Sequence, residues 1–182
     1  MPKNRIVIFT VGHSTLSIKQ FIELLKSCGI EEVADVRSIP RSRHNPQFNE
    51  NRIIASLKKA KINYKLIKKL GGLRHAEKDS INLGWRNASF RGYADYMSTP
   101  DFAVGLKELM DIAKKKRTAI MCAEAVPWRC HRSLIADALI KKKWKVFDIF
   151  GEGNFKLRKP TPFLRVRGGR LVYPIPEKSS DP

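Results

Sequence analysis

The feature that most constrains this chain is alternation: short, apolar, β-branched runs are separated by stretches with helical periodicity. Arg5 to Val11 reads as a buried strand, followed by Gly12-His13-Ser14-Thr15. Ser17 and Gln20 then form a capping box for a helix that lines Ile18, Phe21, Ile22, Leu25 and Cys28 on one face and ends at Gly29. Glu31 to Val36 is a second strand, so the chain opens as a βαβ unit. A polar, basic loop, Arg37 to Asn49, leads to a helix from about Glu50 to Ala60 and a third strand, Ile62 to Ile67. Residues 68–90 are Gly- and Lys-rich around Trp85 and show no clear period, and long connections of this sort are more often functional than idle. A helical stretch begins near Arg91, and Thr99-Pro100-Asp101 caps the next helix, which buries Phe102, Leu106, Leu109 and Ala113. Thr118 to Cys122 is a fourth strand, Ser133 to Ile140 a helix, and Lys145 to Phe150 a fifth strand. Pro160, Pro162 and Gly168-Gly169 suggest a terminal hairpin. The alternation predicts an α/β fold of three layers, a mostly parallel sheet flanked by helices in Rossmann-like fashion, with a short C-terminal hairpin. One domain over residues 1–174 and a polar tail over 175–182 are expected.

Charge narrows the partners. Thirty-six Lys and Arg against 17 Asp and Glu leave a formal +19 and a pI near 10.2. Such an excess repels itself in the folded state and is the footprint of a polyanion, nucleic acid above all. No basic amphipathic helix or lipid anchor points to a membrane. The apolar run Ile6 to Phe9 is too short for a signal peptide's core, and Cys28, Cys122 and Cys130 make no regular disulfide framework. A cytoplasmic, reducing setting is expected. Lys114-Lys115-Lys116-Arg117 and Lys141-Lys142-Lys143 fall at helix C-termini, where cations offset the helix dipole and solvated ends suffice as an explanation.

In an open parallel sheet, ligands bind outside the carboxyl ends of the strands. Three strand ends here carry reactive groups: Gly12-His13-Ser14, Asp35-Val36-Arg37, and Cys122-Ala123-Glu124 running on to Cys130-His131-Arg132. Gly12, Asp35 and Cys122 should share one edge of the sheet. The candidate catalytic residues are Asp35, Glu124, Cys122 and His13. A carboxylate at the inner end of a buried strand must be paired, so Arg37, Arg129 and Arg132 also offer Asp35 and Glu124 a structural role. Arg37, Arg41, Arg43, Phe48, Arg91, Tyr93, Tyr96, Trp128, Arg129 and Arg132 mix cations with aromatics, the composition that grips phosphates and stacks bases.

Two further chemistries are in play. Cys122 followed by a loop, Arg129 and a helix is similar to the cysteine cradle of rhodaneses and cysteine phosphatases. Six residues separate Cys122 from Arg129, where that cradle has five, and the loop lacks glycine and carries Glu124. For zinc, Cys122, Cys130 and His131 are three soft ligands without Cys-x-x-Cys spacing, and a fourth would have to come from His13, His44 or His75. No metal or other cofactor is expected.

Val11-Gly12-His13-Ser14, Asp35-Val36-Arg37 with Pro40-Arg41-Ser42-Arg43, Asn45-Pro46-Gln47-Phe48, Leu70-Gly71-Gly72, Phe90 to Met97, and Cys122 through Arg132 closely resemble the family catalogued as domain of unknown function 488. The resemblance runs from about Thr10 to Pro174. It implies a compact prokaryotic α/β domain, with nucleic-acid or DNA-repair roles suggested for some relatives, and favours DNA over RNA. The leading expectation is an enzyme that removes a damaged base by carboxylate catalysis, with Asp35 or Glu124 positioning water or stabilising an oxocarbenium-like sugar and Tyr93, Tyr96 or Trp128 stacking on the base. The alternatives are a thiol enzyme using Cys122 and a nucleic-acid-binding module without catalysis.

Overall fold

The computed structural model describes residues 6–176. Its centre is a six-stranded sheet built from β1 (Val7–Gly12), β2 (Glu32–Asp35), β3 (Asn63–Leu66), β4 (Thr118–Cys122), β5 (Lys145–Gly151) and β6 (Asn154–Leu157). The order is β3-β2-β4-β1-β5-β6, parallel except for β6, which runs antiparallel to β5. The helices are α1 (Ile18–Ser27), α2 (Glu50–Lys59), α3 (Ala88–Tyr96), α4 (Pro100–Ala113) and α5 (Arg132–Lys141). Short strands β7 (Arg165–Arg167) and β8 (Arg170–Val172) form the expected hairpin, with Gly168 and Gly169 both at positive φ in its turn. The three-layer α/β reading stands.

Two cores explain the layers. Phe9, Val11, Phe21, Leu25, Val33, Ile53 and Leu57 pack α1 and α2 on one face of the sheet. Ile8, Val36, Ile120, Tyr93, Leu106, Leu109, Leu134 and Ile135 pack α3, α4 and α5 on the other. Neighbouring residues of one strand therefore serve opposite cores, as the period of two requires. The central strands β2 and β4 are buried along their whole length, so their polar residues, Glu32, Asp35 and Thr118, lie at the strand ends while the positions between them are apolar.

Local chemistry sets the boundaries. Ser17 and Gln20 cap α1 reciprocally, as expected. Thr99 accepts from the Phe102 N–H to cap α4, with Pro100 in its first turn. The third helix starts three residues before Arg91, because the Asn87 side chain accepts from the Ser89 and Phe90 N–H groups. Strand β6 was not expected. It is only four residues long and all of them are exposed, although Phe155 packs edge-on against Phe9 and Phe147. The first residue of the expected first strand, Arg5, and most of the expected polar tail lie outside the described residues.

The long segment 68–90 has no strand, yet it is organised. The Asp95 carboxylate accepts from Ser80 Oγ at 2.6 Å, Asn82 Nδ2 at 2.8 Å and the Glu77 N–H at 2.9 Å. Asn82 Oδ1 in turn accepts the Tyr173 N–H, while the Tyr173 hydroxyl donates to Asp137 of α5 at 2.9 Å. The C-terminal segment is thus tied to α5 and to the loop. Among the described residues no helix is long and apolar enough to cross a membrane.

Strands β1 and β4 are neighbours, but the helices that follow them leave for opposite faces. Their loops must diverge, and a crevice opens between them at the carboxyl end of the sheet.

Candidate functional site

The crevice is a cavity of about 630 Å³ lined by the loops after β1, β2 and β4 and by Gly72 and Leu73 of the long segment. Gly12 is the register partner of Cys122, and Asp35 that of Met121, so the three strand ends expected to share an edge do so. The ladder runs on past the strands: the His13 N–H donates to the Cys122 carbonyl and the Ser14 N–H to that of Ala123. Gly12 admits this close approach, since a Cβ there would stand 1.9 Å from the Glu124 carbonyl oxygen. Ser14 then turns with a φ of 46°, a left-handed conformation costly for a non-glycine residue.

Asp35 and Arg37 are two residues apart and meet at the end of β2. Asp35 Oδ2 accepts from Arg37 Nη2 at 2.6 Å and from the Tyr64 hydroxyl at 2.7 Å. Oδ1 accepts from the Arg37 backbone N–H at 2.9 Å and from Nε at 3.0 Å. Asp35 is fully buried and its acceptor positions are occupied. It is therefore a positioning residue for Arg37, and the expectation that it performs acid–base catalysis is revised on that physical ground. Burial alone would weaken the Arg37 charge, but the Asp35 carboxylate outweighs it and raises the pKa further. Tyr64, absent from the sequence expectations, has its phenol held protonated, by burial first and by Asp35 second.

His13 is buried against Phe48, the rings stacked 4.0 Å apart. Nδ1 donates to the Ser14 carbonyl at 2.9 Å, which leaves Nε2 to face Arg37 Nη1 at 3.4 Å. Desolvation by burial lowers its pKa to about 4, so it stays neutral at pH 7. It orients Arg37 from the opposite side to Asp35.

The β4 loop closes the cavity. Cys122 and Cys130 are both buried, and His131 Nδ1 lies 3.7 Å from Cys130 Sγ. Nε2 of His131 lies 2.9 Å from the Val36 carbonyl and must donate to it, which fixes the neutral tautomer with Nδ1 turned toward the thiols. The Cys122 hydrogen bond and His131 draw the Cys130 thiol well below its ordinary pKa, while the same bond and burial hold Cys122 well above. Arg132 is 1% exposed and donates from Nε to Cys130 Sγ at 3.3 Å and from Nη2 to the Glu124 carbonyl. The Glu124 side chain is exposed and lines the cavity.

Of the expected site residues, the structure brings His13, Arg37, Arg41, Cys122, Glu124 and Arg129 to the cavity wall. Arg43 and Trp128 are exposed outside it, Trp128 at 62%. Others are committed elsewhere. Tyr93 is fully buried with its hydroxyl on the Leu70 carbonyl, and Phe48 is sandwiched by His13 and Phe21, so neither offers a stacking face. Tyr96 is covered by the Arg74 guanidinium at 3.6 Å and bonds the Lys69 carbonyl. Arg91 bonds the Arg86 carbonyl, and Arg132 points at thiols rather than at a phosphate backbone. Cys130 and His131, which the charge and aromatic pattern left aside, sit at the centre. Their signal was their place directly before the first turn of α5.

No curated protein and no solved structure matches the chain. The family model described as "Domain of unknown function DUF488" matches residues 17–139, from the cap of α1 through most of α5. That span holds every cavity wall described above except the loop after β1, and it covers more than half of the chain: this protein belongs to the DUF488 family.

Proposed function

We propose that the chain is a nucleic-acid-binding hydrolase that excises a damaged base drawn into the cavity between β1 and β4. The observation that carries this reading is the pairing in one cavity of a locked, charged Arg37 with the solvent-facing carboxylate of Glu124. Arg37 is an anion subsite, pre-oriented by Asp35 and His13, for a phosphate of the substrate. Glu124 takes a proton from the attacking water as the water oxygen bonds to the sugar carbon, and the base leaves with the electron pair of the broken C–N bond and picks up a proton from solvent. A cavity of about 630 Å³ suits one nucleoside with its phosphate. Arg41 and Arg129 on the rim, and the exposed Trp128 beside Arg129, supply phosphate contacts and a stacking face for the flanking strand. The formal +19 supports a polyanion, and DNA is the first polymer to test.

The test is a screen of the purified protein against single- and double-stranded oligonucleotides carrying different damaged bases. Release of one class of base is expected, lost in Glu124→Gln while binding persists. Undiminished turnover in folded Glu124→Gln would end this mechanism. A second reading is thiol chemistry. Its supporting observation is the approach of His131 Nδ1 to Cys130 Sγ, which shifts the nucleophile from Cys122, as first expected, to Cys130. Loss of activity on alkylation of a metal-free sample, with Glu124→Gln unaffected, would favour it.

A further inference from the structure

The two cysteine sulfurs and a ring nitrogen of His131 all lie within 4.8 Å of one another, at the wall of the cavity. Tetrahedral zinc with sulfur at about 2.3 Å and nitrogen near 2.0 Å sets ligand–ligand edges of roughly 3.5–3.8 Å. The Cys130–His131 separation of 3.7 Å already matches. We propose that Cys122, Cys130 and His131 bind a zinc ion whose fourth position opens into the cavity. The inference concerns the metal and holds for whatever substrate the cavity takes.

Three observations beyond the donor set point the same way. First, the Val36 carbonyl holds His131 Nε2, the outer-shell contact that fixes the tautomer and aims Nδ1 at a metal. Second, Gly72 packs against the face of the His131 ring, where a Cβ would stand 2.5 Å from Nδ1, 2.8 Å from Cε1 and 2.9 Å from Cγ, and this close approach helps to hold the ring with its Nδ1 edge toward the thiols. Third, Arg132 is a fully buried cation with no carboxylate partner among the described residues, and its Nη1 bonds nothing. Isolated buried charge is costly. Zinc with two thiolates and a neutral imidazole is electrically neutral, so a hydroxide or an anionic substrate group in the fourth position brings the centre to −1, the complement of Arg132. Structural zinc sites are closed by four protein ligands, whereas three ligands and an open position are the pattern of catalytic ones.

Spacing alone argued against zinc, because seven residues separate Cys122 from Cys130. The fold overcomes this by folding that loop back so that the start of α5 returns to the end of β4. His13, one of the distant fourth ligands that spacing required, is spent on Ser14 and Arg37, and no further His, Cys, Asp or Glu among the described residues joins the three donors, which leaves the fourth position to solvent or substrate. Zinc-bound water gives up a proton readily. Glu124, in the same cavity, accepts that proton, and the hydroxide stays on the metal.

Metal analysis of the full chain, purified without chelator, tests the proposal. One equivalent of zinc is expected, and exchange for cobalt should give the intense sulfur-to-cobalt charge-transfer absorption of a tetrahedral thiolate site. Cys122→Ser and Cys130→Ser should each lose zinc at least as severely as the roughly 10–100-fold affinity cost of outer-shell substitutions. Cys28→Ser, whose thiol lies in the opposite core, should keep it. Circular dichroism accompanies each variant, and the cobalt spectrum of the unmutated protein stands even where a variant fails to fold. Absence of zinc uptake by the unmutated protein, a Cys122–Cys130 disulfide in its place, or full zinc in both cysteine variants would each overturn the proposal. Equal loss in Cys28→Ser would do the same.

Discussion

Replacing Asp35 by Asn separates a structural carboxylate from a catalytic one. Asparagine preserves shape and retains one acceptor oxygen, but its amide presents N–H donors to Arg37 Nη2 and the Tyr64 hydroxyl, which now donate to Oδ2 at 2.6 and 2.7 Å. Donor would face donor. Arg37 is 5% exposed, so its guanidinium would be left buried without its counter-charge. Breaking a buried ion pair by removing one partner costs about 3–5 kcal/mol, most of it the stranded charge. For a chain of this size that is a fall of about 10 °C in melting temperature. Urea denaturation of Asp35→Asn, Arg37→Met and the double variant forms a cycle. Asp35→Asn should be the most damaging, and adding Arg37→Met should restore about half of the loss, because the stranded cation goes with it. If Asp35→Asn is as stable as the parent to within about 0.5 kcal/mol yet catalytically dead, Asp35 is the proton acceptor and the positioning role is wrong.

Gly12→Ala should destabilise the chain by about 1–3 kcal/mol in the same assay, since the strand must move to clear a backbone carbonyl 1.9 Å from the new Cβ; a neutral result would mean that the β1–β4 approach is looser than described. His13 gives a pH signature. Its pKa falls from 6.5 to about 4 on folding, so between those values the unfolded chain binds a proton that the native state refuses. Stability should therefore decline as pH drops from about 6.5 to about 4, by about 3 kcal/mol at most, and His13→Gln should flatten that part of the profile; identical profiles would refute it. Arg41→Ala with Arg43→Ala should weaken oligonucleotide binding regardless of sequence and reduce the salt slope by about 1.5, the share of two phosphate contacts. An unchanged slope would place binding elsewhere.

Much of this architecture is legible in the residues because the hydrophobic pattern states it directly. Thr118–Cys122 carries an unbroken apolar centre, and Ser17 with Gln20 marks the start of α1 unambiguously. Strand β6 is hard to read because four exposed residues at the sheet edge offer only two apolar positions, Phe155 and Leu157, too short a run to mark a strand. The three strand ends that build the cavity follow from the parallel-sheet rule, which singles out His13, Arg37 and Cys122 from sequence alone. Their roles were harder. Asp35 and Arg37, two apart, share a face of an extended chain, so their pairing was within reach, but Tyr64 comes from another strand. Aromatics in basic segments look alike in sequence whether they stack on a base or fill a core. Tyr93 and Phe48 went to the core, and Trp128 alone among the proposed stacking residues is broadly exposed. Cys122, Cys130 and His131 are legible as three soft ligands, but their closeness depends on a loop folding back, which no periodicity encodes.

The most direct test is an amide-resolved NMR titration of the labelled protein with a short DNA strand at low and then raised salt. Shifts are expected at Ser14, Ser38, Ala123 and Arg129 around the cavity and at Trp128 beside it, reversed as salt rises. No shifts at low salt, or shifts confined to the lysine-rich helix ends at Lys114–Arg117 and Lys141–Lys143, would contradict that expectation.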